Sequence, residues 1–117
     1  MSESDRNELI DAYFDALDSE DPEIVRPALA DGFVYESPSG DLEGFSGFET
    51  YMNELRGFSN TTHEVTRRIH DEDVSVAEGT VTGDGDGTSL QAGFCNVFEF
   101  DDDEAGLTRI AVYINDA

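Results

Sequence analysis

Lysine and tryptophan are absent from this chain, and cysteine occurs once. Without lysine, the six basic residues are all arginines, at positions 6, 26, 56, 67, 68 and 109. So few cations make no basic face, which argues against nucleic acid or an anionic membrane surface as partner. A lone Cys95 forms no internal disulfide and fits a reducing, cytoplasmic setting, where it reads as a small hydrophobe in a strand. There is no apolar run near 18 residues and no basic segment leading into an apolar one, so neither a membrane span nor a signal peptide is expected. Glycine-rich phosphate loops, nucleophile elbows and zinc-ligand spacings are missing too, and no cofactor or metal is called for.

What the chain has in excess is negative charge. Its 117 residues carry 28 Asp and Glu against 6 arginines, a formal charge of −22. At low ionic strength such like charge opposes the compact state. In molar salt the Debye length falls to roughly 3 Å and only near neighbours still repel. A disordered acidic chain would need few apolar residues, whereas 38% here are hydrophobic and 12 are Phe or Tyr. The expectation is a folded protein adapted to concentrated salt, its acids forming a solvated shell. At this length one domain, residues 1–117, is expected, burying about two-thirds of its unfolded surface.

Periodicity predicts a first helix over 5–18, with Leu9, Ile10, Tyr13, Phe14 and Leu17 on one face. Asp21 and Pro22 start a second, short helix, which Pro27 and Asp31-Gly32 end. Phe33-Val34-Tyr35 reads as a short strand closed by Ser37-Pro38-Ser39-Gly40. Ser46 and Glu49 have capping-box spacing for a third helix, with Phe48, Tyr51, Met52 and Leu55 as its apolar stripe and Gly57 as its stop. Four strands follow, near 61–70, 73–82, 88–100 and 106–115, joined by short acidic connections that make antiparallel hairpins. The fold class is α+β: three N-terminal helices on one face of a curved, mainly antiparallel sheet.

Polar residues on apolar faces are the candidates for chemistry. Asn96 shares a strand face with Leu90, Ala92, Phe94, Phe98 and Phe100. Its amide either binds a ligand oxygen or satisfies a neighbouring group. Tyr13 is either a core tyrosine or a pocket donor. His63 is a proton-transfer candidate or a surface histidine. Seven residues separate it from His70, so in a regular strand the two face opposite sides and cannot share a metal. Arg67 falls on the face of Val65 and Ile69, and Arg68 on that of Glu64 and Thr66. The acidic turns do not make calcium loops, because position twelve falls on Cys95 when counted from Asp84 and on Val112 from Asp101.

The order of elements, from Leu9-Ile10-Asp11-Ala12-Tyr13-Phe14 to the segment around Arg109-Ile110-Ala111-Val112-Tyr113, resembles the SnoaL-like and nuclear transport factor 2-like superfamily. The resemblance implies a cone whose sheet curls around a deep apolar pocket, and a homodimer formed through the outer sheet face. Tyr13-Phe14-Asp15-Ala16-Leu17 followed by Asp21 is similar to a ketosteroid isomerase segment, which makes Tyr13 the counterpart of an oxyanion-binding tyrosine. Asn96 before Phe98 matches that branch's second oxyanion donor. Its general base is an Asp before a Pro; here Ser37 precedes Pro38, and a hydroxyl cannot replace a carboxylate near neutral pH. Steroid isomerisation is therefore not expected.

The expected function is binding of a small, largely apolar molecule in the cone, with or without a cyclase, isomerase or dehydratase type of proton transfer. Tyr13, Asn96 and His63 are the candidate catalytic residues, with Glu36 and Glu78 as other candidate bases. Ser37, Phe48, Met52, Phe94 and Phe98 are the candidate ligand contacts. A non-catalytic binding protein and a pure dimerisation module are the alternatives.

Overall fold

The structure, a computed structural model, describes residues 3–85, 87–101 and 106–115. Helix α1 runs Glu3–Asp18 and buries Ile10, Tyr13, Phe14, Ala16 and Leu17, the stripe its spacing dictates. The expected second helix is instead two single 3-10 turns, Pro22–Ile24 and Arg26–Ala28. Asp21 does cap the first, accepting from the Glu23 amide at 3.1 Å. Pro27 lacks the N–H that would let the two turns merge.

Strand β1 is longer than expected, Leu29–Ser37, and turns at Pro38-Ser39 into β2, Gly40–Glu43. That hairpin overturns the reading of Ser37–Gly40 as a plain stop. It also overturns the capping box: α2, Gly44–Thr50, begins two residues before Ser46 and has no side-chain cap. Gly44 takes φ +69, so the chain passes from strand to helix without a spacer for Ser46 to cap. A π-helical turn, Tyr51–Leu55, continues α2 and ends where Arg56 becomes extended.

Strands β3 (Ser59–His70), β4 (Val74–Gly85), β5 (Thr88–Phe100) and β6 (Leu107–Asn115) form the expected antiparallel meander. The acidic connection at Asp102, Asp103 and Glu104 lies outside the described residues, as does Asp86. The six strands make one sheet, ordered β2-β1-β6-β5-β4-β3, in which β1 joins β6 in parallel. The observed class is the one expected, α+β with a curved, open, mostly antiparallel sheet. Among the described residues no helix is long and apolar enough to cross a membrane.

One irregularity in β3 corrects the parity argument. Val65 pairs with Gly79 and Arg67 with Glu78, so Thr66 is an extra residue, a bulge. Beyond it the faces exchange. Arg68 and His70 now share the inward side with Thr61, His63 and Val65, and His63 and His70 do not face opposite ways. Arg67 and Ile69 point outward instead. Gly79 allows the bulge, because a Cβ there would lie 1.9 Å from the Glu64 carbonyl oxygen.

Candidate functional site

The inner face of the cone is aromatic. Alternation on β5 turns Ala92, Phe94, Asn96 and Phe98 inward, and all four are buried. From α1, the Tyr13 ring packs 5.7 Å from Phe98 and 6.0 Å from Phe48, while Phe14 lies 5.4 Å from Phe94. Phe48, Phe94 and Phe98 thus fill the depth of the cone, and Met52 packs against the same cluster. Open space remains at the mouth. A cavity of about 370 Å³ is bordered by Tyr51, Leu55, Phe58, Leu90 and Ile114, with the Pro38-Ser39 turn at its rim.

Tyr51 connects that mouth to the interior. Its ring stands 5.0 Å from Tyr35, whose hydroxyl lies 2.7 Å from that of Tyr13. Burial raises the pKa of all three phenols above the ordinary tyrosine value, for Tyr13 and Tyr35 far above it. At neutral pH the row Tyr51, Tyr35, Tyr13 is therefore a set of neutral O–H groups, each able to donate or accept.

Asn96 lies deeper, 2% exposed, and its Oδ1 is buried with no hydrogen-bond partner among the described residues. Burying an acceptor unsatisfied costs about 1–3 kcal/mol. Its strand neighbours explain the deficit, since Ala77 and Val112 stand beside it and Phe94 and Phe98 flank it. None of these side chains can donate.

His63 is inward and tied to α1. Its Nδ1 lies 2.5 Å from Asp18 Oδ1, its amide donates to Asp18 Oδ2 at 3.0 Å, and Thr61 Oγ1 bonds Asp18 at 2.9 Å. The imidazole packs against both the Phe14 and Phe94 rings, at 5.1 and 5.3 Å. Burial, the largest cause, lowers its pKa below the ordinary histidine value together with the Arg56 charge, against the hydrogen bond and charge of Asp18, which raise it. A neutral imidazole bonded through Nδ1 to a carboxylate holds its proton there and offers Nε2 as a base. Among the described residues no partner engages Nε2.

The other expected residues are placed less suggestively. Ser37 belongs to the hairpin turn, donating to the Gly40 carbonyl at 2.8 Å and accepting from the Ser39 amide at 3.1 Å. Glu36 is outward and paired with Arg109 at 2.8 Å, which holds its carboxyl below the usual range. Glu78 is exposed beside Arg67 at 3.9 Å. Arg67 is thus on the outer face and not inward, while Arg68 reaches back to Asn7 and Asp11 on α1. In the sequence Tyr35 reads only as a strand residue and Tyr51 only as part of a helix stripe, and Asp18 falls among the solvated acids. Tyr35 was signalled by its two-residue spacing from Phe33. Asp18 had no such signal, because its partner lies 45 residues away.

The comparisons speak to the fold. Residues 10–106 match the model of the SnoaL-like domain. Among solved structures, an LEH-like epoxide hydrolase from M. tuberculosis is 25% identical with a TM-score of 0.77, the match covering 96% of this chain and 84% of that one. TerC, co-crystallised with polyporic acid, is 16% identical with a TM-score of 0.82, over 95% and 92% of the two chains. A protein of ketosteroid isomerase-like fold from Catenulispora acidiphila, in complex with trimethylamine, is 15% identical with a TM-score of 0.78, over 91% and 84%. A search of curated proteins found no match. Since that model spans residues 10–106, most of the chain, the chain belongs to the SnoaL-like domain family.

Proposed function

We propose that the protein binds a small, largely apolar, oxygen-bearing molecule at the mouth of the cone, its oxygen turned toward Tyr51. The observation that carries this is the 370 Å³ cavity, bordered mainly by aliphatic and aromatic side chains, with the Ser39 hydroxyl at its rim and the Tyr51 phenol continuing a buried tyrosine row. A few placed polar groups in an apolar cleft are what such ligands require. Structural relatives crystallised with small organic molecules support the reading. The test is a thermal-shift screen of aromatic and alicyclic ketones, phenols and alcohols in high salt. Tyr51→Phe should cut the shift from oxygen-bearing ligands and spare their hydrocarbon analogues. Equal responses in the two proteins would remove Tyr51 from the site.

Conversion of the bound molecule, by a cyclase, isomerase or dehydratase type of proton transfer, is a second reading. The Asp18–His63 pair favours it, since a neutral imidazole held by a carboxylate is a competent base. For this chemistry the ligand has to reach past the mouth to the Phe14–Phe94 ring pair. Steroid isomerisation remains disfavoured, because Ser37 is engaged in its turn. His63→Gln should abolish turnover while the ligand-induced thermal shift persists.

A further inference from the structure

The inward residues of β5, counted from the mouth, are Leu90, Ala92, Phe94, Asn96 and Phe98. Leu90 and Ile114 border the mouth cavity, and Ile114 pairs directly with Phe94 across β5 and β6. Phe94 therefore stands just behind the mouth, and Asn96 is the next inward position behind Phe94. The ring separates two unlike places. In front of it is open apolar space. Behind it is Asn96 Oδ1, buried and without a hydrogen-bond partner among the described residues. Beside it, at 5.3 Å, is the His63 imidazole, whose Nε2 has no partner among the described residues.

A phenylalanine serving only the core would be wedged between side chains of both neighbouring strands. Phe94 instead faces Gly79 on β4, and its β6 partner Ile114 is 39% exposed at the mouth. Gly79 opposite and Ala92 toward the mouth offer nothing larger than a methyl. The ring contacts that hold Phe94 are Phe14 at 5.4 Å and the His63 imidazole. Swinging the ring aside gives up those two contacts and uncovers Oδ1. A hydrogen bond donated to Oδ1 removes the cost of leaving that oxygen unsatisfied, which is of the same order as the two ring contacts. A ligand that makes this bond has differential affinity for the open ring, and such a ligand shifts the ring from closed to open.

We propose that the Phe94 ring is a gate between the mouth and Asn96, passed by elongated alcohols whose hydroxyl leads inward and donates to Oδ1. Shorter molecules stop at Tyr51. The inference rests on the mouth being the entrance to the site. Its test is calorimetry on the full-length protein in high salt with benzyl alcohol, 4-biphenylmethanol and the hydrocarbon 4-methylbiphenyl. Phe94→Leu shortens the gate and keeps it apolar. It should raise the affinity of 4-biphenylmethanol relative to benzyl alcohol about tenfold, because the two ring contacts no longer have to be broken. 4-Biphenylmethanol should outbind 4-methylbiphenyl about tenfold, a preference that Asn96→Leu erases. In wild type, the nuclear Overhauser contact between the Phe94 and His63 rings should vanish under saturating 4-biphenylmethanol and persist under benzyl alcohol. If Phe94→Leu does not fold, this contact and the Asn96→Leu comparison decide. A long-to-short ratio unmoved by Phe94→Leu, a ring contact that persists beside the bound long probe, or an alcohol preference that survives Asn96→Leu would overturn the gate and leave the mouth as a site. Failure of all three probes to bind would overturn the mouth as well.

Discussion

Asn96 is a position where stability and function pull in opposite directions. An unsatisfied buried amide oxygen destabilises the ligand-free protein. Asn96→Leu, close in shape and without the polar group, should raise the urea-unfolding free energy by about 1–2 kcal/mol. It should also weaken any ligand whose hydroxyl reaches that depth. A variant less stable than wild type would show that Oδ1 is satisfied in solution. His63 makes a different prediction. Because burial holds its folded pKa below 6.5, the unfolded chain binds the proton more tightly than the folded one. Stability is full above the ordinary histidine pKa and is lost as pH falls from there through the folded value. Between about pH 7.5 and pH 5 the wild type should lose stability faster than His63→Gln, which cannot titrate. Parallel slopes would mean that Asp18 compensates the burial fully. Glu36, with its depressed pKa, contributes its stability above 4.5 and loses it only as pH falls from there through the folded value.

Elements divide sharply into those that could be read from the chain and those that could not. Helix α1 and strand β5 follow from periodicity because each has one buried face and a single repeat length. The hairpin of β1 and β2 did not follow, since β2 is four residues with only Leu42 half-buried, too short for alternation to show. The parallel union of β1 with β6 is a long-range pairing that no local pattern encodes. Most instructive is the bulge at Thr66. Period-two counting is valid up to Val65 and inverted after it, which moved His70 and Arg68 to the inner side and Arg67 to the outer. The signal that could have warned of it is Gly79 inside a valine-rich strand, a sign of close backbone approach. Gly79→Ala should therefore be costly although small: its methyl would meet the Glu64 carbonyl, and a loss of about 1–3 kcal/mol is expected from overpacking. Urea denaturation measures it. A change under 0.5 kcal/mol, roughly the range of a surface substitution, would show that the bulge relaxes freely.

At the scale of the molecule, the acidic surface and the outer sheet face make one joint prediction. Residues on that face are unevenly polar: Tyr113 is 57% exposed and Ile69 51%, while Arg109 bridges Glu36 and Glu99. An open groove of about 380 Å³ runs there beside Cys95, Thr80 and Tyr113. Pairing two copies through this face would cover the exposed apolar groups, and we expect the homodimer that the family resemblance implies. Two chains of −22 repel strongly, however, and the repulsion reaches about 10 Å at 0.1 M salt but only about 3 Å at 1 M. Folding and association should therefore respond to salt together. Raising potassium chloride from about 0.1 M to above 1 M should increase the urea midpoint and, in sedimentation, shift monomer toward dimer. Tyr113→Asp should abolish the second effect and leave the first, since it adds charge to the interface without touching the core. A urea midpoint indifferent to salt would refute the salt-adapted surface. Sedimentation as a monomer at every salt concentration would refute the outer-face dimer alone, because a salt-dependent fold does not require it.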